Sequence, residues 1–422
     1  MANPQGVLLL SPSVVITGIG VVSPNGIGCE AFTDALRQGK SGIGPITSFD
    51  AGGLSVRHAA CVKGLDPRTI MEDRDLRRVP RMVPLALAAA REALRQAQLP
   101  PMPACVRDAR GMAVILGTGG GGLEFLEAQY RTFFTGSGKL SPFAVTAGTH
   151  GNLSSELSIA LALRGPSHVI TTGCASSTDA LGYAMMHLRN ATAEVAVVGG
   201  ADAPITEGIL RGFELMRIVA PTTEPMQRTS RPFCKDRAGF VLGEGAWMFV
   251  LETAAHAAAR GVKPLAELCG WGSTCDAFHR VQPAPDAAES ARAIALALQQ
   301  AGARPEDVQY VNLHGTSTQL NDSLETLAMK QALGKHAYKI PMSSTKSMIG
   351  HPQGACGAAG LAATILSLRS GFVHPTINLD NPDPQCDLDY TANTARPTQA
   401  KLALCNCIAF GSKNSALVVR VL

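Results

Sequence analysis

Little in this sequence stacks, and little of it is charged. Aromatic residues make up 5% and charged residues 17% of the 422 positions. So few rings leave little surface on which bases could stack. A net charge of +4, spread along the chain, gives no nucleic-acid footprint. No apolar run approaches the ~20 residues that span a membrane. The early run GVLLL at residues 6–10 has no basic segment before it and is too short for a signal-peptide core. These absences predict a cytoplasmic protein with no membrane and no nucleic-acid partner. The 11 cysteines are an odd number at irregular spacing, which fits a reducing compartment rather than a disulfide framework. Their close pair, Cys405-x-Cys407, lacks a second pair at zinc-finger distance and reads as alternate positions of a half-buried strand. The loop GTGGGG (Gly117–Gly122) lacks the Lys-Ser/Thr end of a P-loop and an acidic partner at Rossmann spacing. It reads as a structural or substrate-lining loop.

What is present is a large apolar fraction, 46%, enough for an extensive core. Short β-branched runs alternate with Ala/Leu-rich helical runs, which predicts sheets covered by helices. The second half echoes the first. Leu85–Gln98 and Glu289–Gly302 read as matching helices, and Met112–Gly122 and Val308–Gln319 as matching strand-to-turn segments. Ile340–Leu368 takes the place that the Cys174 segment holds earlier, and the last residues read as two strands joined by a glycine turn. Two copies predict a duplicated α/β unit rather than a solenoid. The expected halves are residues 1–255 and 256–422, with the boundary near Thr253–Pro264.

Three polar clusters interrupt apolar surroundings: Cys174, HGTSTQLND (His314–Asp322) and STKSMIGHPQG (Ser344–Gly354). Each follows a predicted strand, so a duplicated sheet brings them to one edge, where ligands of open α/β folds bind. Cys174 lies between a strand and a helix. The unpaired N–H groups of a helix start favour thiolate over thiol. A lone histidine is more often a packed one, and a lone lysine a solvated one. A cysteine with two histidines, His314 and His351, and a lysine, Lys346, in glycine-flanked turns is instead a set for covalent acyl transfer.

With these motifs in order, the sequence resembles the β-ketoacyl-acyl-carrier-protein synthases, the condensing branch of the thiolase-like superfamily. It is similar both to type II fatty acid elongation synthases and to type II polyketide ketosynthase subunits. The likeness runs from VVITGIGVVSPNGIG through RPFCKDRAGFVLGEGA to AFGSKNSALVV. It implies a five-layered αβαβα fold from two like halves, usually dimeric. It implies decarboxylative condensation of a cysteine-bound acyl chain with malonyl carried on an acyl carrier protein. Cys174 would be the nucleophile. His314 and His351 would stabilise the enolate and oxyanion, and Lys346 would tune them. Phe410 would gate the pocket, and the N–H groups of Phe410 and Cys174 would form an oxyanion hole. Thr316 and Thr318 would contact the phosphopantetheine arm, with Gly120, Asp276 and His279 also lining the substrate. No metal or redox cofactor is required. The partners would be an acyl carrier protein and either a second copy or a chain-length-factor-like subunit.

The sequence departs from the family pattern at several points. Gly360 stands where a glutamate is usual, which predicts a weaker network behind Lys346. The gating turn is AFGSKN, with Ala409, Ser412 and Lys413, which predicts a stiffer gate. Val281 and Gln282 replace a Thr/Ser pair, and Cys234 and Ala238 stand where aspartates are common. Gly120 replaces a bulky pocket residue. These features favour a polyketide or specialised fatty acid pathway over housekeeping elongation. Two other readings remain: a non-catalytic partner subunit, against which Cys174 speaks, and a thiolase using Cys356 or Cys407 as a second thiol. Arg74, Arg77, Arg78 and Arg81 form a candidate basic face for an acidic carrier protein.

Overall fold

The computed structural model describes residues 12–99 and 108–422. The GVLLL run lies outside these residues. Ten main strands appear in chain order: β1 (Val14–Ser23), β2 (Met112–Gly117), β3 (Ser167–Ile170), β4 (Val195–Asp202), β5 (Gly245–Thr253), β6 (Ala266–Cys275), β7 (Tyr310–Asn312), β8 (Met342–Ser343), β9 (Leu402–Ala409) and β10 (Lys413–Val421). Their order across the sheet is β8-β7-β9-β10-β6-β1-β5-β4-β2-β3. Adding five to each label of the first set gives the second: β1-β5-β4-β2-β3 becomes β6-β10-β9-β7-β8. The directions repeat as well. β1–β5 and β5–β4 are antiparallel while β4–β2 and β2–β3 are parallel, and their counterparts match. The duplication read from the sequence is therefore present in the topology. The two sets meet where Val14–Ile16 of β1 runs antiparallel to β6.

The longer described helices include α1 (Met82–Gln96), α2 (Leu123–Thr135), α3 (Asn152–Leu161), α4 (Ser176–Arg189), α5 (Ala288–Ala301), α6 (Gln319–Leu333) and α7 (Cys356–Arg369). Leu181 and Met185 of α4 share a core with Leu361 and Ile365 of α7, between the two sets of strands. Leu87 of α1 and Leu157 of α3 pack outside the first set, and Ile294 of α5 and Met329 of α6 outside the second. This gives the five layers of a thiolase-like αβαβα sandwich. Strands covered on both faces are apolar at consecutive positions rather than alternating. In β1 all ten residues are buried. Its glycines let α1 sit close, because a Cβ at Gly20 would lie 1.8 Å from the Ala89 carbonyl oxygen.

The same burial corrects one expectation. The strand carrying Cys405 and Cys407 is buried along its whole length, because β9 lies between β7 and β10 with helices on both sides. No described helix is long and apolar enough to cross a membrane.

Candidate active site

The three polar clusters converge as the topology requires. Cys174 lies in a short 3-10 turn, Gly173–Ala175, directly before α4. Gly173 has φ +63°, a left-handed conformation that glycine adopts at little cost. The turn is held by Ser176, whose hydroxyl donates to the Gly173 carbonyl at 2.6 Å and accepts the Thr172 N–H at 2.9 Å. From the second half, His314 follows β7 and His351 precedes α7. Ligating atoms of Cys174, His314 and His351 all lie within 4.8 Å of one another.

These residues line a cavity of about 420 Å³, together with Thr316, Thr318, His279, Val281, Gln282 and Phe410. Phe410 is 36% exposed at the chain turn after β9. Its backbone N–H is close enough to the Cys174 sulfur to favour the thiolate. Lys346 is buried behind His314 and donates to the His314 carbonyl oxygen at 2.6 Å. Two of the expected lining residues stand elsewhere. The Gly120 N–H is bound to Asp202 at 2.9 Å, and Asp276 accepts from Ala284 N–H and Asn414 Nδ2. Both support loops rather than form the wall.

The electrostatics correct the reading of Cys174. Burial is the largest influence, and it pushes the thiol up to about 12. Nearby Cys356 adds to the rise, while Lys346 and the Phe410 N–H oppose it. Enclosure thus outweighs Lys346 and the Phe410 N–H. Burial also holds His314 and His351 well below the usual histidine range, with Lys346 contributing. Both are neutral at pH 7. The Nδ1 of His351 accepts the Gln353 N–H at 3.0 Å, so Nε2 carries its proton and is a hydrogen-bond donor. His351 meets His314 edge to face, with ring centroids 5.4 Å apart.

Several supports were not read from the sequence. The Asp202 carboxylate, at the end of β4, accepts from Thr118 Oγ1 and from the N–H groups of Gly119, Gly120 and Gly354 at 2.7–2.9 Å. The glycine loop is therefore a cradle for a buried carboxylate, and it ties the first half to the turn before α7. Glu325 on α6 accepts from the N–H groups of His314 and Gly315 and from Asn406 Nδ2, each at 2.7 Å. The signals were an aspartate ending the VVGGAD strand and a glutamate on the second turn after HGTSTQ. A Cβ at Gly360 would lie 2.6 Å from Asn312 Oδ1, so a side chain there requires Asn312 to shift. Arg237, from the RPFCKDRAGF segment, is buried and pairs with Asp383 and Asp322, and donates to the Thr318 carbonyl.

The gating turn is tethered. The Ser412 hydroxyl accepts from Phe278 N–H and His279 N–H and donates to the His279 carbonyl. The arginine face is weaker than expected. Arg81 is committed to buried Glu244 at 2.7 Å, and Arg74 and Arg78 lie beside Asp75 at 3.5 Å. Interleaved carboxylates neutralise most of this segment.

Comparison with known proteins agrees with this geometry. Residues 11–257 match the model of the β-ketoacyl synthase N-terminal domain, and residues 265–380 that of the C-terminal domain. The chain is 40% identical to 3-oxoacyl-[acyl-carrier-protein] synthase 2 of Synechocystis sp., over 96% of this chain and 97% of that protein. It is 38% identical to putative polyketide β-ketoacyl synthase 1 of Streptomyces halstedii, over 97% and 98% of the two chains. Among solved structures, it superposes with a TM-score of 0.89 at 31% identity on AntDE:AntF, a type II polyketide acyl-carrier protein in complex with its ketosynthase bound to the hexaketide, covering 98% of this chain and 100% of that one. The fold and the family are thus shared with these proteins, and the chain belongs to the β-ketoacyl synthase family, condensing enzymes of the thiolase-like fold.

Proposed function

We propose that Cys174 accepts an acyl chain from the thioester of an acyl carrier protein and passes it to a malonyl unit carried on a second carrier arm. The observation that carries this is one thiol and two neutral imidazoles, all within 4.8 Å, on the wall of one cavity. In the first step Cys174 gives up its proton as its sulfur attacks the thioester carbonyl, and the carrier sulfur leaves as a thiol with that proton. The N–H groups of Cys174 and Phe410 hold the oxyanion. In the second step the malonyl carboxylate leaves as CO2, and the electron pair remains on the α-carbon. The N–H of His351 and the ring of His314 stabilise the enolate oxygen, and Lys346 fixes His314 through its carbonyl. The carbanion attacks the Cys174 acyl carbonyl, and the thiolate is released. Thr316 and Thr318 hold the pantetheine arm, His279 shapes the loop beside it, and Asp276 and Gly120 brace the surrounding turns. Splitting the reaction into two steps avoids a strong base, and the adjacent arms supply proximity.

Intact mass after incubation with acyl carrier proteins of several chain lengths tests this reading. The expected result is a single acyl adduct that is lost in Cys174→Ala. His351→Ala should form the adduct but release CO2 from malonyl-carrier at least ~100-fold more slowly. An adduct retained in Cys174→Ala overturns the assignment.

The tethered gate, with Ser412 and Lys413, favours a type II polyketide or specialised fatty acid pathway. The product chain length from a reconstituted assay distinguishes it from housekeeping elongation. For a partner chain, the edge strand β3 pairs on one side only, and Val145 and Ile159 nearby are 77% and 75% exposed. A second ketosynthase-fold chain, either a copy or a chain-length-factor-like subunit, covers this face. Light scattering of the purified chain should give twice the chain mass, or one chain mass until the second subunit is added.

A further inference from the structure

Behind His314, on the side away from the cavity, stand two thiols that the condensation does not use. Cys356 opens α7 and Cys407 lies in β9, and both are buried. Their sulfurs are 3.6 Å apart. His314 Nδ1 faces both, at 3.5 Å from Cys407 Sγ and 4.0 Å from Cys356 Sγ. The carbonyl oxygen of Cys174 also faces both, at 3.0 and 3.1 Å. Two S–H groups carry two hydrogens, enough for one to each of the two acceptors but not for all four approaches at once. One centre shared by all four atoms satisfies every one.

The dimensions fit such a centre. Five of the six edges between these four atoms are 3.0–4.0 Å, and a regular tetrahedron of that size has its middle about 2.1 Å from each corner, against about 2.3 Å for Zn–S and about 2.0–2.1 Å for Zn–N. Two sulfurs and an imidazole are the ligands that soft and borderline cations select. Among the described residues, His314, Cys356 and Cys407 form one of two such groups, the other being Cys174, His314 and His351.

We propose that Cys356, Cys407 and His314 Nδ1, closed by the Cys174 carbonyl oxygen, form a buried four-coordinate zinc(II) site behind the reactive histidine. Binding releases the two thiol protons, and the two thiolates balance the charge of the ion. Coordination at Nδ1 leaves the His314 proton on Nε2. The ion would hold the imidazole and the nucleophile's carbonyl in one unit without entering the cavity. The sequence pair Cys405-x-Cys407 contributes only its second member. Cys405 instead lies against Thr364 Oγ1 at 3.4 Å.

The test is a titration of the reduced full-length protein with Co2+ as a spectroscopic probe, followed by displacement with Zn2+. A single equivalent should produce tetrahedral ligand-field bands and a thiolate-to-metal charge-transfer band. Cys356→Ser and Cys407→Ser should each weaken binding by more than about 100-fold, beyond the effect typical of an outer-sphere partner. Cys174→Ala should leave both bands in place, since its carbonyl remains. X-ray absorption of the zinc-loaded wild type needs no variant to fold, and should count two sulfurs at about 2.3 Å. No bands, one sulfur only, or bands lost in Cys174→Ala would each overturn the proposal. The last two would place the ion on Cys174, His314 and His351 instead.

Discussion

At Cys174 two effects oppose each other. A helix start favours the thiolate, and enclosure favours the thiol. Burial raises the group to about 12, far above the ordinary thiol, for which the reference is about 8.5. The sign follows directly. The thiolate is the nucleophile, so a raised value lowers its share at pH 7, and that share grows about tenfold per pH unit below the pKa. Iodoacetamide alkylation of Cys174 in the unloaded enzyme should therefore keep accelerating above pH 9. A plateau below pH 8 would show that the Phe410 N–H, Lys346 and the helix start win instead. The convergence of Cys174, His314 and His351 was legible because each sits in a turn that its sequence marks: Gly-Cys, His-Gly-Thr, Gly-His-Pro. Asp202 and Glu325 were not. Their hydrogen-bond donors are backbone N–H groups of distant or adjoining turns, and the folded topology alone brings those donors to them. The same holds for Cys356 and Cys407, which the sequence offers as thiols but does not place behind His314.

The elements explain why some glycines cannot change. Where α1 crosses β1, a Cβ at Gly20 would stand 1.8 Å from the backbone oxygen of Ala89. Neither backbone is a flexible side chain that can swing away. Gly20→Ala should cost about 1–3 kcal/mol through overpacking, read as a fall in the urea midpoint with an unchanged m-value. A variant as stable as the wild type would mean that α1 shifts freely on the sheet. At this scale the sequence was also read well. The helices over Leu85–Gln98 and Glu289–Gly302 fall within a few residues of α1 and α5. The strand of Cys405 was misjudged for a physical reason. Alternation of side chains describes strands with one wet face, and β9 has none.

For the whole molecule, charge near the cavity mouth matters more than charge overall. Arg217 follows the lining residue Met216, and Arg280 lies between the lining residues His279 and Val281. Both are exposed, and neither has an ion-pair partner among the described residues. They suit an acidic carrier better than the neutralised Arg74–Arg81 segment does. Arg217→Glu with Arg280→Glu should raise KM for carrier-borne substrate by about tenfold, roughly 1.4 kcal/mol, while acylation from a small thioester is unchanged. An equal loss with both substrates would indicate a damaged fold. The duplicated sheet has one more consequence. Cys174 belongs to one copy and the two histidines to the other, and the Asp202 carboxylate binds turns from both. A chain with only one half in order is silent rather than slow. Activity recovered during refolding should therefore count completed molecules, so the assay itself reports how many chains have closed the seam between their ancestral halves.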